Sequence, residues 1–257
     1  MIPTERLDRI MIDYNEASKT YDNTRSYSDV LIDHFASKVL LMKETVVLDF
    51  GCGTGNYLNR IQERFGCRCC GVEPSEGMRI AASKKNPTLD IRQGDHRQIP
   101  FADESFDFVF MTDVVHHIPD LSSMFLQLRR VMKSGAFLCV VTESHTQIEG
   151  RFYNRYFPSL AMNEKHRYPD VPKIIEIAST SGFEHDGNEI WHASPTAVIT
   201  ESFVRNVEQK NYSMFRMLSE KEFLEGLNKL KSDLGKSFQR KLAGETWIWF
   251  KPSPAFM

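Results

Sequence analysis

The sequence predicts an α/β chain: a doubly wound, mostly parallel sheet wrapped on both faces by helices. Three observations predict it. Largely apolar runs at 46–50, 106–112 and 137–142 suit strands buried on both faces. Amphipathic segments with helix start and stop signals stand between them, as parallel crossover connections require. The third is the stretch Val46-Val47-Leu48-Asp49-Phe50-Gly51-Cys52-Gly53-Thr54-Gly55-Asn56, which reads as strand, glycine-rich turn and helix start. Glycines at alternate positions allow a ligand close approach to the backbone, and a helix over 56–65 points free N–H groups at it. Asp49 adds a negative charge where a purely phosphate-binding loop avoids one.

At 257 residues the chain buries a good core without staples, and a formal charge of -2 gives no global pull toward nucleic acid or anionic membrane. The polar start Met1-Ile2-Pro3-Thr4-Glu5-Arg6 lacks a secretory apolar core, and no apolar run is long enough to span a bilayer. A cytoplasmic location is the expectation. Cys67, Cys69 and Cys70 fit a strand, with Cys67 and Cys69 on one face. No His or Cys pair at zinc spacing accompanies them, so they read as buried packing residues and no metal is expected.

In chain order, 7–27 reads as partly helical and ends in Tyr21-Asp22-Asn23-Thr24-Arg25-Ser26-Tyr27. A core helix over 29–41 shows Val30, Leu31, Phe35, Val39 and Leu40 as its stripe. After the glycine turn and its helix come a strand over 68–73, a helix over 75–85 begun at Glu73-Pro74-Ser75, and a strand from Ile91 into Gly94-Asp95-His96. The strand over 106–112 ends at Asp113. An amphipathic helix over 121–132 is closed by Lys133-Ser134-Gly135, with glycine where a helix C-terminus favours it. Beyond Thr142 the rhythm breaks. Residues 143–170 are aromatic and basic, 171–181 form a helix leading to a strand through Ile190-Trp191-His192, and 195–234 read as wholly helical. Ser219 to Glu222 is a capping box for a helix bearing Phe223, Leu227 and Leu230, closed by Gly235, and the last strand is 246–251.

Ligands of open parallel sheets bind beyond the carboxyl ends of the strands, where strand order reverses. Asp49, Glu73, Asp95 and Thr112 with Asp113 stand at that edge. Glu73, about twenty residues after the glycine turn, is placed to receive two ribose hydroxyls, one on each oxygen. Asn56 stands where a dinucleotide fingerprint has its last glycine, and the Gly-Lys-Ser/Thr of a Walker loop is absent. The ligand therefore carries a ribose and a positive charge, with no pyrophosphate required.

Asp49-x-Gly51-x-Gly53-x-Gly55 resembles the first motif of class I S-adenosylmethionine-dependent methyltransferases. The other motifs follow in register: Gly71-Val72-Glu73-Pro74-Ser75, Gly94-Asp95, Phe106-Asp107-Phe108-Val109, Val114-Val115-His116-His117-Ile118-Pro119-Asp120, and the strand after Gly135. The resemblance covers about 46–142. It implies a Rossmann-like, seven-stranded sheet with an antiparallel last strand. The chain would be one domain, 1–257: a helical lid at 1–42, a cofactor core at 43–142, cap insertions at 143–170 and 195–240, and closing elements at 171–194 and 241–257.

The resemblance further implies S-adenosylmethionine as cofactor and S-adenosylhomocysteine as product. Asp49, Gly51, Gly53 and Gly55 line the methionine part, Glu73 with Pro74 the ribose, and Asp95 with His96 the adenine. The Thr112 carbonyl meets the α-amino group, and Tyr21 and Arg25 resemble a Tyr-Asp-x-x-Arg element that folds over the cofactor. His116 and His117 read as packing or hydrogen-bonding residues of a turn. For an acceptor that must lose a proton, the candidates are His145 and Tyr153, followed by Glu143 and His166. The expected partner is a small-molecule acceptor under a roof of 151–168 and 195–234, met as monomer or homodimer. Arg151, Arg155, Lys165 and Arg167 suit an anionic one. Nucleic acid is not expected, since no dense basic run and no loop for a flipped adenine are present. A protein acceptor, or a non-catalytic module binding the cofactor, are the alternatives.

Overall fold

A computed structural model describes residues 14–18, 21–23, 26–192, 194–239 and 244–254. Within these the chain divides into two compact units. The larger comprises 14–142, 171–189 and the segment from Thr246.

The larger unit holds a seven-stranded sheet. Its strands are β1 (Val46–Phe50), β2 (Arg68–Val72), β3 (Asp90–Arg92), β4 (Phe106–Thr112), β5 (Met132–Thr142), β6 (Phe183–His192) and β9 (Gly244–Pro252), in the order β3-β2-β1-β4-β5-β9-β6. β1 to β5 pair in parallel and β9 runs antiparallel to β5. Strand order reverses between β1 and β4, which puts the crevice of such a sheet beyond Phe50 and Thr112. The half-buried Asp107 pins this pairing: Val46 N donates to Asp107 Oδ2 at 2.9 Å, and Lys133 Nζ to Oδ1 at 2.8 Å.

Side chains alternate across the sheet, so each apolar strand feeds two cores. On one face Leu48, Phe50, Val109, Met111, Leu138 and Val140 pack with Phe125 and Leu128 of helix α5 (Leu121–Val131) and Ile174 and Ala178 of helix α8 (Val171–Thr180). On the other, Phe108, Phe110 and Trp249 surround Phe35 of helix α2 (Asp29–Lys38), with ring centroids 5.0–6.1 Å apart.

The α2 stripe differs from expectation. Leu31, Ile32, Phe35 and Val39 are buried, whereas Val30 is 52% and Leu40 74% exposed. The helix stops at Lys38, so Leu40 lies past its end and off its face. Gly135 does not close α5 either. That helix ends at Val131, and Met132, already extended, begins β5. Pairing jumps from Phe106↔Met132 to Phe108↔Phe137, so Gly135, at φ 80°, sits in a bulge of the strand.

The second unit takes 143–170 and 190–245. It contains α6 (His145–Glu149), α7 (Leu160–Arg167), α9 (Glu201–Glu208) and α10 (Glu220–Ser232), with 3-10 turns at Phe152–Arg155 and Ser213–Met217. The segment 195–234 is not wholly helical: β7 (Thr196–Val198) pairs antiparallel with β8 (Ser237–Gln239). Thr196 and Val198 are β-branched and favour a strand. Phe157, Phe215, Phe223, Val207 and Leu230 form this unit's own core. The capping box at Ser219 is half made. Ser219 Oγ accepts from Glu222 N at 3.2 Å, but the Glu222 carboxylate receives Ser159 N and Oγ at 2.9 and 2.7 Å instead of reaching back. Among the described residues no helix is long and apolar enough to cross a membrane.

Candidate active site

The larger unit has a cavity of about 220 Å³ at the carboxyl edge of its sheet, bounded by the turns after β1, β2, β3 and β4. Each turn contributes for a local reason. After β1, Gly51 and Gly53 take φ of 79° and 53°, which an L side chain rarely adopts. A Cβ on Gly51 would stand 2.5 Å from Val114 Cγ2, so the turn after β4 closes directly on the glycine turn. The helix that follows, α3 (Asn56–Phe65), starts at Gly55. Gly55 faces Leu89, Ala82 and Ile91, and does not line the cavity.

After β2, Glu73 is held between two backbone donors: Gly53 N reaches Oε2 at 3.0 Å and Ser75 N reaches Oε1 at 2.8 Å. Each oxygen keeps one lone pair for a further donor. The Arg79 guanidinium fixes the turn by donating to the carbonyls of Glu73 and Pro74 at 2.9 and 2.7 Å. Beneath lies Asp49, 2% exposed, opposite Gly71 and Phe110, with Oδ1 unpartnered among the described residues. Burial, reinforced by Glu73, pushes its carboxyl well above the ordinary range. Burial also raises Glu73, while the two N–H groups and Arg79 oppose the rise.

After β3, Asp95 closes a turn, accepting from Arg97 N at 2.8 Å on Oδ1 and from the Arg97 guanidinium at 2.9 Å on Oδ2. That side-chain bond holds its carboxyl below the usual range. His96 and Thr112 also line the cavity, as do Pro74 and Tyr21. Arg25 lies outside the described residues.

His145 and Tyr153 belong to the second unit. His145 Nε2 lies 2.7 Å from the Tyr168 carbonyl, and its backbone N–H donates to Asp170 at 2.9 Å. Tyr153 Oη donates to Met214 Sδ at 3.6 Å, and burial pushes its phenol upward. The cations read as anion receptors are engaged internally. Arg151 pairs with Glu143 and with Glu164, at 3.0 Å for the latter, Arg167 with Glu164 at 2.7 Å, and Lys165 with Glu149. Arg155 lies 4.2 Å over the Phe238 ring.

Cavity residues not singled out by sequence include Tyr14, Phe50 and Met78, while His117, read as a turn residue, lines it too. Asp113, placed at the strand edge by sequence, also lines it and takes φ 57° in the sharp turn after β4. Tyr14 carried no sequence signal, because its place depends on where the N-terminal segment lies.

What such a site accepts is a cationic, ribose-bearing ligand: two buried carboxylates, one with a lone pair unused, below a glycine turn at a helix N-terminus. Residues 48–140 match the family described as a methyltransferase domain. A demethylmenaquinone methyltransferase of Chlorobaculum parvum is 26% identical over 197 residues, covering 72% of this chain and 78% of that one. A putative methyltransferase from an antibiotic biosynthesis pathway of Anabaena variabilis superposes with a TM-score of 0.70 at 19% identity, over 88% of this chain and 98% of that one. A phospholethanolamine N-methyltransferase 2 of Haemonchus contortus, solved with S-adenosylhomocysteine, gives 0.51 at 20% identity, over 83% and 49%. Residues 48–140 match a methyltransferase domain, and the sheet has the Rossmann-like architecture of class I S-adenosylmethionine-dependent methyltransferases. The matched domain and the named relative support an enzyme with S-adenosylmethionine as its methyl donor.

Proposed function

We propose that this enzyme methylates an uncharged small-molecule acceptor by in-line displacement, with the cofactor held in the cavity beyond β1 and β4. The observation that carries the placement is the Asp49–Glu73 pair, two carboxylates buried side by side with an unpartnered oxygen between the strand and the glycine turn. S-adenosylmethionine supplies an electrophilic methyl on a positively charged sulfur. Glu73 binds the ribose hydroxyls through its two remaining lone pairs, its position preset by Gly53 N and Ser75 N. Asp49 meets the cationic methionine end from below, and Gly51, Gly53 and the Thr112 carbonyl line it. Asp95 accepts from the adenine amino group, with His96 beside the ring and Tyr21 against Gly53. The residues' work is alignment and exclusion of water, because the methyl is already activated.

The uncharged reading is supported by the pairing of Arg151, Lys165 and Arg167 with carboxylates and by the seat of Arg155 over the Phe238 ring. The relative named for demethylmenaquinone supports the same reading. Purified protein with methyl-labelled S-adenosylmethionine and fractionated cell extract tests it by mass. Label in a small uncharged organic product supports the proposal; label confined to protein, to nucleic acid or to an anionic metabolite contradicts it. Where the product shows that a proton was lost, His145→Gln and Tyr153→Phe are the variants to compare.

A further inference from the structure

Helix α4 (Glu76–Lys85) carries a glycine in its first turn, where alanine would be the better helix former. The φ of Gly77 is not positive, so no turn geometry calls for it. What Gly77 does is leave room. A Cβ there would stand 2.8 Å from Ser18 Oγ and 2.9 Å from both Cα and O of Asn15. Those atoms belong to α1 (Tyr14–Ala17) and the residue after it.

A four-residue helix has no stability of its own. This one is held by named contacts. Asn15 Oδ1 accepts from Gly77 N and from Ser75 Oγ, both at 2.9 Å, adding a second cap to the one Ser75 provides. Tyr14 Oη lies 2.8 Å from His117 Nε2, with the two rings edge-on. Further along, Asp22 pairs with Lys85 at 2.8 Å, at the far end of α4, and accepts from Thr54 Oγ1 at 2.6 Å. The segment is thus clasped to both ends of α4, and its two tyrosines, Tyr14 and Tyr21, line the cavity.

We infer that Gly77 is a positioning residue for cofactor binding: its bare surface is the seat on which residues 14–18 dock, and docking there holds Tyr14 and Tyr21 against the cavity. The inference rests on the reading of that cavity as the S-adenosylmethionine site. Asn15 is the other half of the seat.

The test uses the full chain with Gly77→Ala, Asn15→Ala, the double variant, and Ile80→Ala, an exposed position on the same helix, as control. S-adenosylhomocysteine is titrated by calorimetry, and amide hydrogen exchange is followed at 14–18 without ligand. Gly77→Ala and Asn15→Ala are each expected to weaken binding about tenfold, with the double variant little worse than either. Exchange at 14–18 rises in both, while the melting temperature of Gly77→Ala is unchanged or higher. Unchanged exchange in Gly77→Ala overturns the seat. Faster exchange with unchanged affinity overturns the positioning role. A wild-type chain that binds no S-adenosylhomocysteine overturns the cavity reading instead, and the exchange arm then still decides the seat.

Discussion

Asp49 holds the site's principle in one side chain. Its burial and the neighbouring Glu73 make the ionised form costly in the unliganded protein. The folded chain therefore keeps a proton on Asp49 that the unfolded chain, with an ordinary value near 3.8, has released. Stability falls as pH rises from that ordinary value toward the raised folded one. Asp49→Asn removes the liability. Without ligand the variant is expected to melt higher than the wild type at neutral pH, by the equivalent of about 1–3 kcal/mol. The gap closes as pH is lowered toward 4, and cofactor binding weakens throughout; calorimetric scans from pH 4 to 8 check this. The cysteines make a second residue-scale prediction. All five are buried thiols, with Cys67 and Cys70 pushed up to about 11 by burial. A chromogenic disulfide reagent should label none in the native protein and five in denaturant.

At the scale of elements, two groups of ion pairs separate structural from surface charge. Arg151 bridges Glu143 and Glu164, the latter 2% exposed, and Arg167 completes the group. Arg151→Ala leaves the half-buried Glu143 without its cation and the buried Glu164 with Arg167 alone, and should lower stability by about 3 kcal/mol in urea denaturation. Lys173→Ala, at an exposed i,i+3 pair on α8, should change it by less than about 1 kcal/mol. Ser219→Ala removes the N-cap of α10 and should cost about 1 kcal/mol. Glu222→Ala keeps that cap, whose donor is the backbone N–H, but removes the charged acceptor of both Ser159 donors and should cost more. Sequence reading found these elements where a local signal decides them. Ser75, Asp120 and Ser219 each cap a helix as their residue type suggests. It failed where tertiary context decides. Gly135 looked like a helix terminator and serves a bulge, and the partner of Glu222 lies 63 residues away.

Across the whole molecule, legibility follows the physics of the two units. The sheet was readable because parallel strands buried on both faces are continuous apolar runs, and because the strand-end acids fall at fixed places relative to a glycine turn. Glu73, Asp95, His96 and Thr112 come together in the cavity as that logic requires. The second unit lacks such periodicity, so its β7–β8 ribbon and its internal ion pairs were not visible before the fold. Tyr14, Gly77 and Arg79 stayed hidden for a different reason: each acts through a contact distant in sequence, and none belongs to a motif. Under the proposed function, the cavity beyond β1 and β4 holds S-adenosylmethionine through Glu73. Isothermal titration of S-adenosylmethionine and S-adenosylhomocysteine into the wild type and Glu73→Ala tests it most directly. The account predicts micromolar binding of both by the wild type and a loss of at least about tenfold in the variant. Equal affinities in the two proteins, or no heat with either ligand, would contradict it.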